Sequence, residues 1–234
     1  MLQPDADLPV VPECPPPWHL TGSAWIVALR LAPGSAARTA FLDGPAAAQL
    51  RSPLALLMYV DYTGSPCGPY RELLFIPGHV PFEDGRRHFT ISRILVSTWE
   101  SVVNGRRNWG IPKDRAQFEV GEGDRPGGGT TVRVTADDGH ELCAMHVVPR
   151  KFAPRLPVPG ALLPAGMRTL AQRYAGSTCY YAPAASGWIR PARLVDWRFD
   201  PAFVPDLCAA SILATGRVDS FRMTFPRART APRV

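Results

Sequence analysis

A mainly antiparallel β protein of the α+β class is what this sequence predicts, and three observations carry the prediction. Apolar runs of strand length recur along the chain and are bounded by Gly, Pro and Asp, as Leu54–Tyr62 is by Pro53 and Gly64. Two segments, GEGDRPGGG at 121–129 and ADDGH at 136–140, carry the glycines and aspartates that hairpin turns need. The chain shows no internal repeat and no alternation of strands with long helices, which argues against a doubly wound parallel sheet.

In chain order, residues 1–17 hold six prolines and no apolar period, so they read as an extended proline-rich arm. Residues 18–234 read as one domain, because 46% apolar content over this length fills a single sizeable core. Trp25–Leu31 is the first expected strand, and the Ala-rich stretch Ser35–Leu50, cut by Gly44 and Pro45, gives one or two short helices. Leu54–Tyr62 is an expected central strand, followed by Tyr70–Pro77 and His88–Val96. Ser97 with Glu100 three residues on fits a capping box for a short helix, with Trp99, Val102 and Val103 as its apolar side and Asn104–Gly105 as its stop. Further strands are expected at Gln117–Val120, Thr130–Ala136, Glu141–Val148, Met167–Tyr174, Ser177–Tyr181, Ala192–Phe199 and Val218–Phe225. Pro154–Pro164 reads as a connection, and Phe203–Leu213 as a short helix or another strand.

Composition narrows the function. No run of 18 apolar residues exists and the N-terminal segment lacks a basic region followed by an apolar one, so a soluble cytoplasmic protein is expected, with no membrane partner. Five cysteines, an odd number with no C-x-x-C pair, read as reduced thiols, and no His/Cys/Asp/Glu group has zinc-ligand spacing; neither metal nor cofactor is expected. The net charge of +6 comes from arginines spread mostly singly, with a cluster at the C-terminal end. No interleaved aromatic and basic motif is present, so nucleic acid is not an expected partner.

Chemistry concentrates between Ser97 and Phe118. Arginine supplies 24 of the 26 basic residues, so lysine is scarce and occurs only as Lys113 and Lys151. A guanidinium stays charged, whereas an amine that loses its proton attacks a carbonyl carbon, so a lysine in an arginine-biased chain points mildly to amine chemistry. Gly105, Arg106, a polar residue, an aromatic, then Gly110, Ile111, Pro112 and Lys113 resemble the signature around the nucleophilic lysine of the acetoacetate decarboxylase family. Upstream, Gly68, Pro69, Tyr70, Arg71 and Glu72 resemble that family's glycine-tyrosine-glutamate segment at a similar spacing. The resemblance spans roughly residues 18–225 and is close only in these two segments. It implies a closed, cone-like barrel with a few helices outside it, a homo-oligomer, Lys113 as the Schiff-base residue and Glu72 as the acid/base. An alternative for Glu72 is a structural pairing with Arg71. Arg106, Tyr70, Tyr62, Trp109 and Met58 are the expected substrate contacts, with Tyr59 and Asp61 as neighbouring candidates whose simpler roles are packing and solvation.

Departures from the family pattern shape the expectation. Asp114 stands where the decarboxylase has a second lysine, and an opposite charge there favours the ammonium form unless Asp114 faces away from the cavity, leaving Arg106 or Arg107 as the cationic neighbour. The family's N-terminal arginine would fall near Gly22 or Ser23 and its first pocket glutamate near Leu57 or Met58, all small or apolar here. The expected substrate is therefore a keto acid, enone or polyketide-type carbonyl compound of secondary metabolism, not acetoacetate, with lyase, aldol or dehydration chemistry through Lys113. The alternative is a cofactor-free cyclase or pericyclase, or a carrier of a lipophilic molecule, with no covalent lysine.

Overall fold

A computed structural model describes residues 3–52, 54–123, 128–150, 152–159 and 168–232. The elements in order are β1 (Trp18–Arg30), α1 (Ala36–Thr39), α2 (Gly44–Gln49), β2 (Ala55–Gly64), β3 (Tyr70–Ile76), β4 (Gly78–Pro81), β5 (Arg87–Thr90), β6 (Arg93–Val96), α3 (Trp99–Trp109), β7 (Lys113–Arg115), β8 (Gln117–Glu122), β9 (Thr130–Thr135), β10 (Glu141–Pro149), β11 (Leu156–Pro159), β12 (Leu170–Tyr174), β13 (Ser177–Tyr181), β14 (Ala184–Phe199), β15 (Ser211–Phe225) and β16 (Arg229–Pro232).

Eleven strands form one sheet in the order β7-β6-β3-β2-β1-β15-β14-β10-β9-β8, with β11 on β14, and five form a second in the order β16-β13-β12-β5-β4. Pairing is antiparallel except at β6–β7 and β5–β12. The large sheet curls until its two outer strands are neighbours in sequence. Only Ala116 separates β7 from β8, and its N–H donates to the Val96 carbonyl at 2.9 Å, so the wall is closed by the chain itself.

Alternation along the strands divides the apolar residues into two cores. Leu57, Tyr59, Leu73, Phe75 and Leu95 point inside the curled sheet and meet Val132, Val134, Met145 and Val147 from the opposite wall. Val60, Tyr62, Tyr70, Leu74 and Ile94 point the other way, toward α3 and the second sheet. The barrel interior is thus filled with side chains. The cavity that holds Lys113 lies against the outer face of its wall.

Several boundaries differ from the sequence reading for local reasons. β1 starts at Trp18 and not Trp25, because the whole stretch pairs with β15 and β2. His88–Val96 is two strands in two sheets, β5 and β6, separated at Ile91–Ser92. Ser97 does not cap α3: its Oγ accepts from Arg71 N–H at 2.9 Å, extending the β3–β6 ladder, and Thr98 caps by accepting from Ser101 N–H. Nor does Asn104–Gly105 end the helix. It runs to Trp109 and stops at Gly110, whose φ of +64° is the left-handed conformation that glycine adopts at helix ends. The segment 201–210 forms turns before β15. The connection at 154–164 contains β11, while its residues 160–164, Lys151, Met167 and positions 124–127 of the first turn segment lie outside the described residues.

Residues 3–17 lie along their own chain. Cys14 N–H donates to Asn104 Oδ1 at 2.8 Å, Asn104 Nδ2 donates to the Pro12 and Glu100 carbonyls, and Trp18 is buried with its indole N–H on the Cys14 carbonyl. Among the described residues no helix is long and apolar enough to cross a membrane.

Candidate active site

The outer face of β1, β2, β3 and β15, roofed by α3 and the second sheet, encloses a cavity of about 240 Å³. Leu20, Ile26, Val60, Leu74, Ile76 and Ile94 supply much of its apolar wall, and Lys113 and Glu72 are the charged side chains that line it. Strand pairing brings both there. Lys113 sits beside Ile94 in the β6–β7 pair and shares its face, while Glu72 follows Tyr70 at the period of two along β3.

The lysine reaches its position by an unusual route. Its aliphatic chain passes over α3 at Gly105, where a Cβ would lie 2.6 Å from Cδ and 2.8 Å from Cε of Lys113. Ser101, one turn earlier on the same helix face, accepts a hydrogen bond from Nζ at 2.9 Å. Glu72 Oε2 accepts another at 2.9 Å, and Tyr62 Oη donates to Glu72 Oε1 at 3.1 Å. The Tyr70 ring lies 5.1 Å from Nζ and stacks at 4.5 Å on Tyr62, a cation–π and ring-packing arrangement around the ammonium. Lys113, Glu72 and Ser101 are all buried. Burial, reinforced by the Glu72 carboxylate, raises the Tyr62 and Tyr70 phenols well above their ordinary value near 10, so both are neutral donors.

The backbone under the lysine is also fixed. Arg106 donates to the Lys113 carbonyl from Nε at 2.9 Å and Nη2 at 2.7 Å, and to Asp114 Oδ1 at 2.9 Å. Its remaining terminus reaches the Gln3 carbonyl and Asp5 Oδ1, each at 2.7 Å. Asp114 turns away from the cavity toward Arg93 and Arg106. Arg106 is therefore engaged with main chain and arm and does not line the cavity, and Arg107 pairs with Glu13 at the surface. Neither places a cation beside the amine, whose charged neighbour is Glu72.

Of the residues singled out by sequence, Lys113, Glu72, Tyr62, Tyr70, Trp109 and Met58 meet at this cavity. The Trp109 indole N–H is spent on the Pro226 carbonyl at 2.7 Å, so that residue offers the cavity its ring and not a donor. Arg71 faces outward to Asp61, so the Arg71–Glu72 pairing does not form. Tyr59 belongs to the barrel core. Gly22 has no room for a side chain, a Cβ there falling 2.1 Å from the Asp61 carbonyl oxygen, and Leu57 points into the barrel. Ser101 was not anticipated; its signal is the four-residue spacing to Gly105 on a helix that continues past the apparent stop. Among the described residues no group of three or more His, Cys, Asp or Glu side chains is placed to hold a metal ion.

No family model matches the chain, and no curated protein matches it by sequence. Solved structures do match. Acetoacetate decarboxylase from Legionella pneumophila superposes with a TM-score of 0.67 at 13% identity, over 94% of this chain and 88% of that one. An acetoacetate decarboxylase-like enzyme from Sphingomonas wittichii RW1 gives 0.65 at 13%, over 93% and 94%. The enduracididine biosynthesis enzyme MppR, solved with HEPES buffer bound, gives 0.60 at 19%, over 94% and 89%. The two-core barrel, its roofing sheet and the helix that leads into Lys113 are thus the acetoacetate decarboxylase-like fold, shared with enzymes across nearly the whole chain.

Proposed function

We propose that this protein is an enzyme that forms an imine between Lys113 and an apolar carbonyl substrate and uses it for lyase, aldol or dehydration chemistry. The observation that carries the reading is the buried Lys113–Glu72 pair at 2.9 Å in an otherwise apolar cavity. Proton transfer from Nζ to Oε2 within the pair gives a neutral amine and a neutral acid without changing the net charge of the site. The amine adds to the carbonyl carbon, water leaves, and the resulting iminium withdraws the electron pair of the adjacent bond as it breaks or forms. Glu72 then delivers or removes the proton at the neighbouring carbon, held in place by the Tyr62 hydroxyl. The Tyr70 face stabilises the cationic nitrogen.

MppR has also been solved with pyruvate and with the condensation product of pyruvate and imidazole 4-carboxaldehyde, which supports 2-oxo acids and aldehydes as ligands of this fold. Among the described residues no arginine lines the cavity to receive a small keto acid's carboxylate, so a larger and less polar substrate fits it better than acetoacetate.

Borohydride reduction in the presence of pyruvate and of longer apolar ketones is expected to add mass to the Lys113 peptide, and Lys113→Arg to abolish the adduct. An absent adduct with every carbonyl tried, together with an active Lys113→Arg variant, would favour a cyclase or carrier that uses the cavity without a covalent step. Carbon dioxide release from acetoacetate is expected to be negligible; turnover near the ordinary enzyme rate of about 10 per second would overturn the substrate reading.

A further inference from the structure

On the surface away from Lys113, a cleft of about 680 Å³ is lined by Arg30, Leu31, Pro33, Arg38, Arg51, Ser52, His79 and Arg87. Three separate segments build it. Arg30 ends β1, Arg38 lies in α1, and Arg51 bridges backbone to backbone with His79 at the start of β4, beside Arg87 of β5. Elsewhere arginines are commonly answered by a carboxylate: Arg71 by Asp61, Arg93 by Asp114, Arg173 by Glu83, Arg190 by Asp219. None of the four cleft arginines has a carboxylate within ion-pair distance among the described residues, and no acidic side chain lines the cleft.

Three of them are tied to backbone. Arg38 donates to the Ser52 carbonyl, Arg51 to the Leu50 carbonyl, and Arg87 to the Gln49 and His79 carbonyls. A guanidinium carries five N–H donors, and these backbone bonds take one or two from each of Arg38, Arg51 and Arg87. Like charges gathered without a counter-charge repel one another, and a bound anion relieves that cost. The His79 ring, stacked at 3.7 Å on Phe89, adds a ring nitrogen to the same wall; burial and Arg87 lower its pKa, keeping it neutral.

We infer that this cleft is a binding site for a small phosphate-bearing anion, recognised by the guanidinium groups of Arg30, Arg38, Arg51 and Arg87. Planar guanidinium groups match phosphate oxygens two at a time, and several around one opening suit a group of two or more charges, such as a pyrophosphate. The site is distinct from the Lys113 cavity, with which it shares no lining residue.

Calorimetric titration of the full chain with inorganic pyrophosphate at physiological ionic strength tests this. One saturable site per chain is expected, with a rise in unfolding temperature as ligand is added. Arg38→Gln combined with Arg87→Gln should weaken binding at least tenfold. Arg86→Gln, a neighbouring exposed arginine outside the cleft, should leave it unchanged. If the double variant does not fold, Arg51→Gln, at an exposed position, takes its place with the same expectation. An absence of saturable binding would overturn the inference, as would equal weakening by the cleft and Arg86 variants, which would mean diffuse charge attraction. Tight, steeply salt-dependent binding of duplex DNA without binding of pyrophosphate would also overturn it.

Discussion

Replacing Gly105 with alanine is expected to destabilise this protein although alanine is the better helix former. The substitution gains about 0.8–1.0 kcal/mol of helix propensity in the middle of α3. The new methyl would fall 2.6 Å from Cδ and 2.8 Å from Cε of Lys113, so the lysine chain must leave its path over the helix. Displacement breaks the 2.9 Å bonds to Glu72 and Ser101 and leaves a buried carboxylate held by Tyr62 without its cation. Breaking one side of a buried pair costs about 3–5 kcal/mol, for a net loss of roughly 2–4 kcal/mol. In a chain of this size each kcal/mol moves Tm by about 2–4 °C, which gives a fall of roughly 4–16 °C. Thermal unfolding followed by circular dichroism measures the fall, and borohydride trapping with pyruvate should fail in the same variant. A Gly105→Ala protein with a raised Tm and wild-type trapping would show that the lysine does not depend on this passage, and the pairing with Glu72 would lose its structural basis.

Glu72→Gln keeps the shape of the acid/base group but removes its proton chemistry, so exchange of the α-proton of a ketone bound without reductant, followed by deuterium incorporation into the released ketone, should slow by about 10²–10⁴-fold. Alkaline stability should reflect the phenols. Tyr62, Tyr70 and Tyr181 are all raised by burial, so the unfolded chain loses those protons first as pH rises. Their contribution is complete below the unfolded value near 10 and is lost above it, by about 1.4 kcal/mol per pH unit for each phenol. Urea unfolding at pH 9 and 11 measures the difference, and a midpoint that does not fall would refute the burial of these hydroxyls.

The candidate site was legible chiefly through the two segments that resemble the acetoacetate decarboxylase family, and strand period then places their residues without long-range information. Glu72 and Lys113 lie in two recognisable segments, and alternation along β3 and β7 is enough to turn both to one face. What sequence could not show is which face. Apolar residues line both sides of β2, so nothing local distinguishes the side filled by Leu57 and Tyr59 from the side that Met58 and Val60 leave open. Arg106 had the composition of a substrate contact, and only the fold reveals that its donors are taken by the Lys113 carbonyl and the arm. Ser97 reads as the cap from its spacing to Glu100, and only the fold shows that the Arg71 N–H claims it and leaves Thr98 to cap the helix. The cleft arginines lie between 30 and 87 in the numbering and read as scattered charge, because their convergence depends on the β4–β5 hairpin meeting the end of β1.

The pairing of β1 with β15 has a consequence in time. From Trp18↔Phe225 to Arg30↔Ser211, the first long strand finds a partner about two hundred positions away. At a synthesis rate of about 5–20 residues per second, β1 waits on the order of 10–40 s for that partner to be made. During the wait one edge of β1 has no ladder, and Leu20, Ala24 and Ile26 face a cavity whose β15 wall does not yet exist. Closure over so long a loop is slow, and an unpaired apolar edge invites association with other nascent chains. Slower, cooler expression or a chaperone that shields nascent strands should therefore raise the yield of folded protein more than added stability in the finished barrel would.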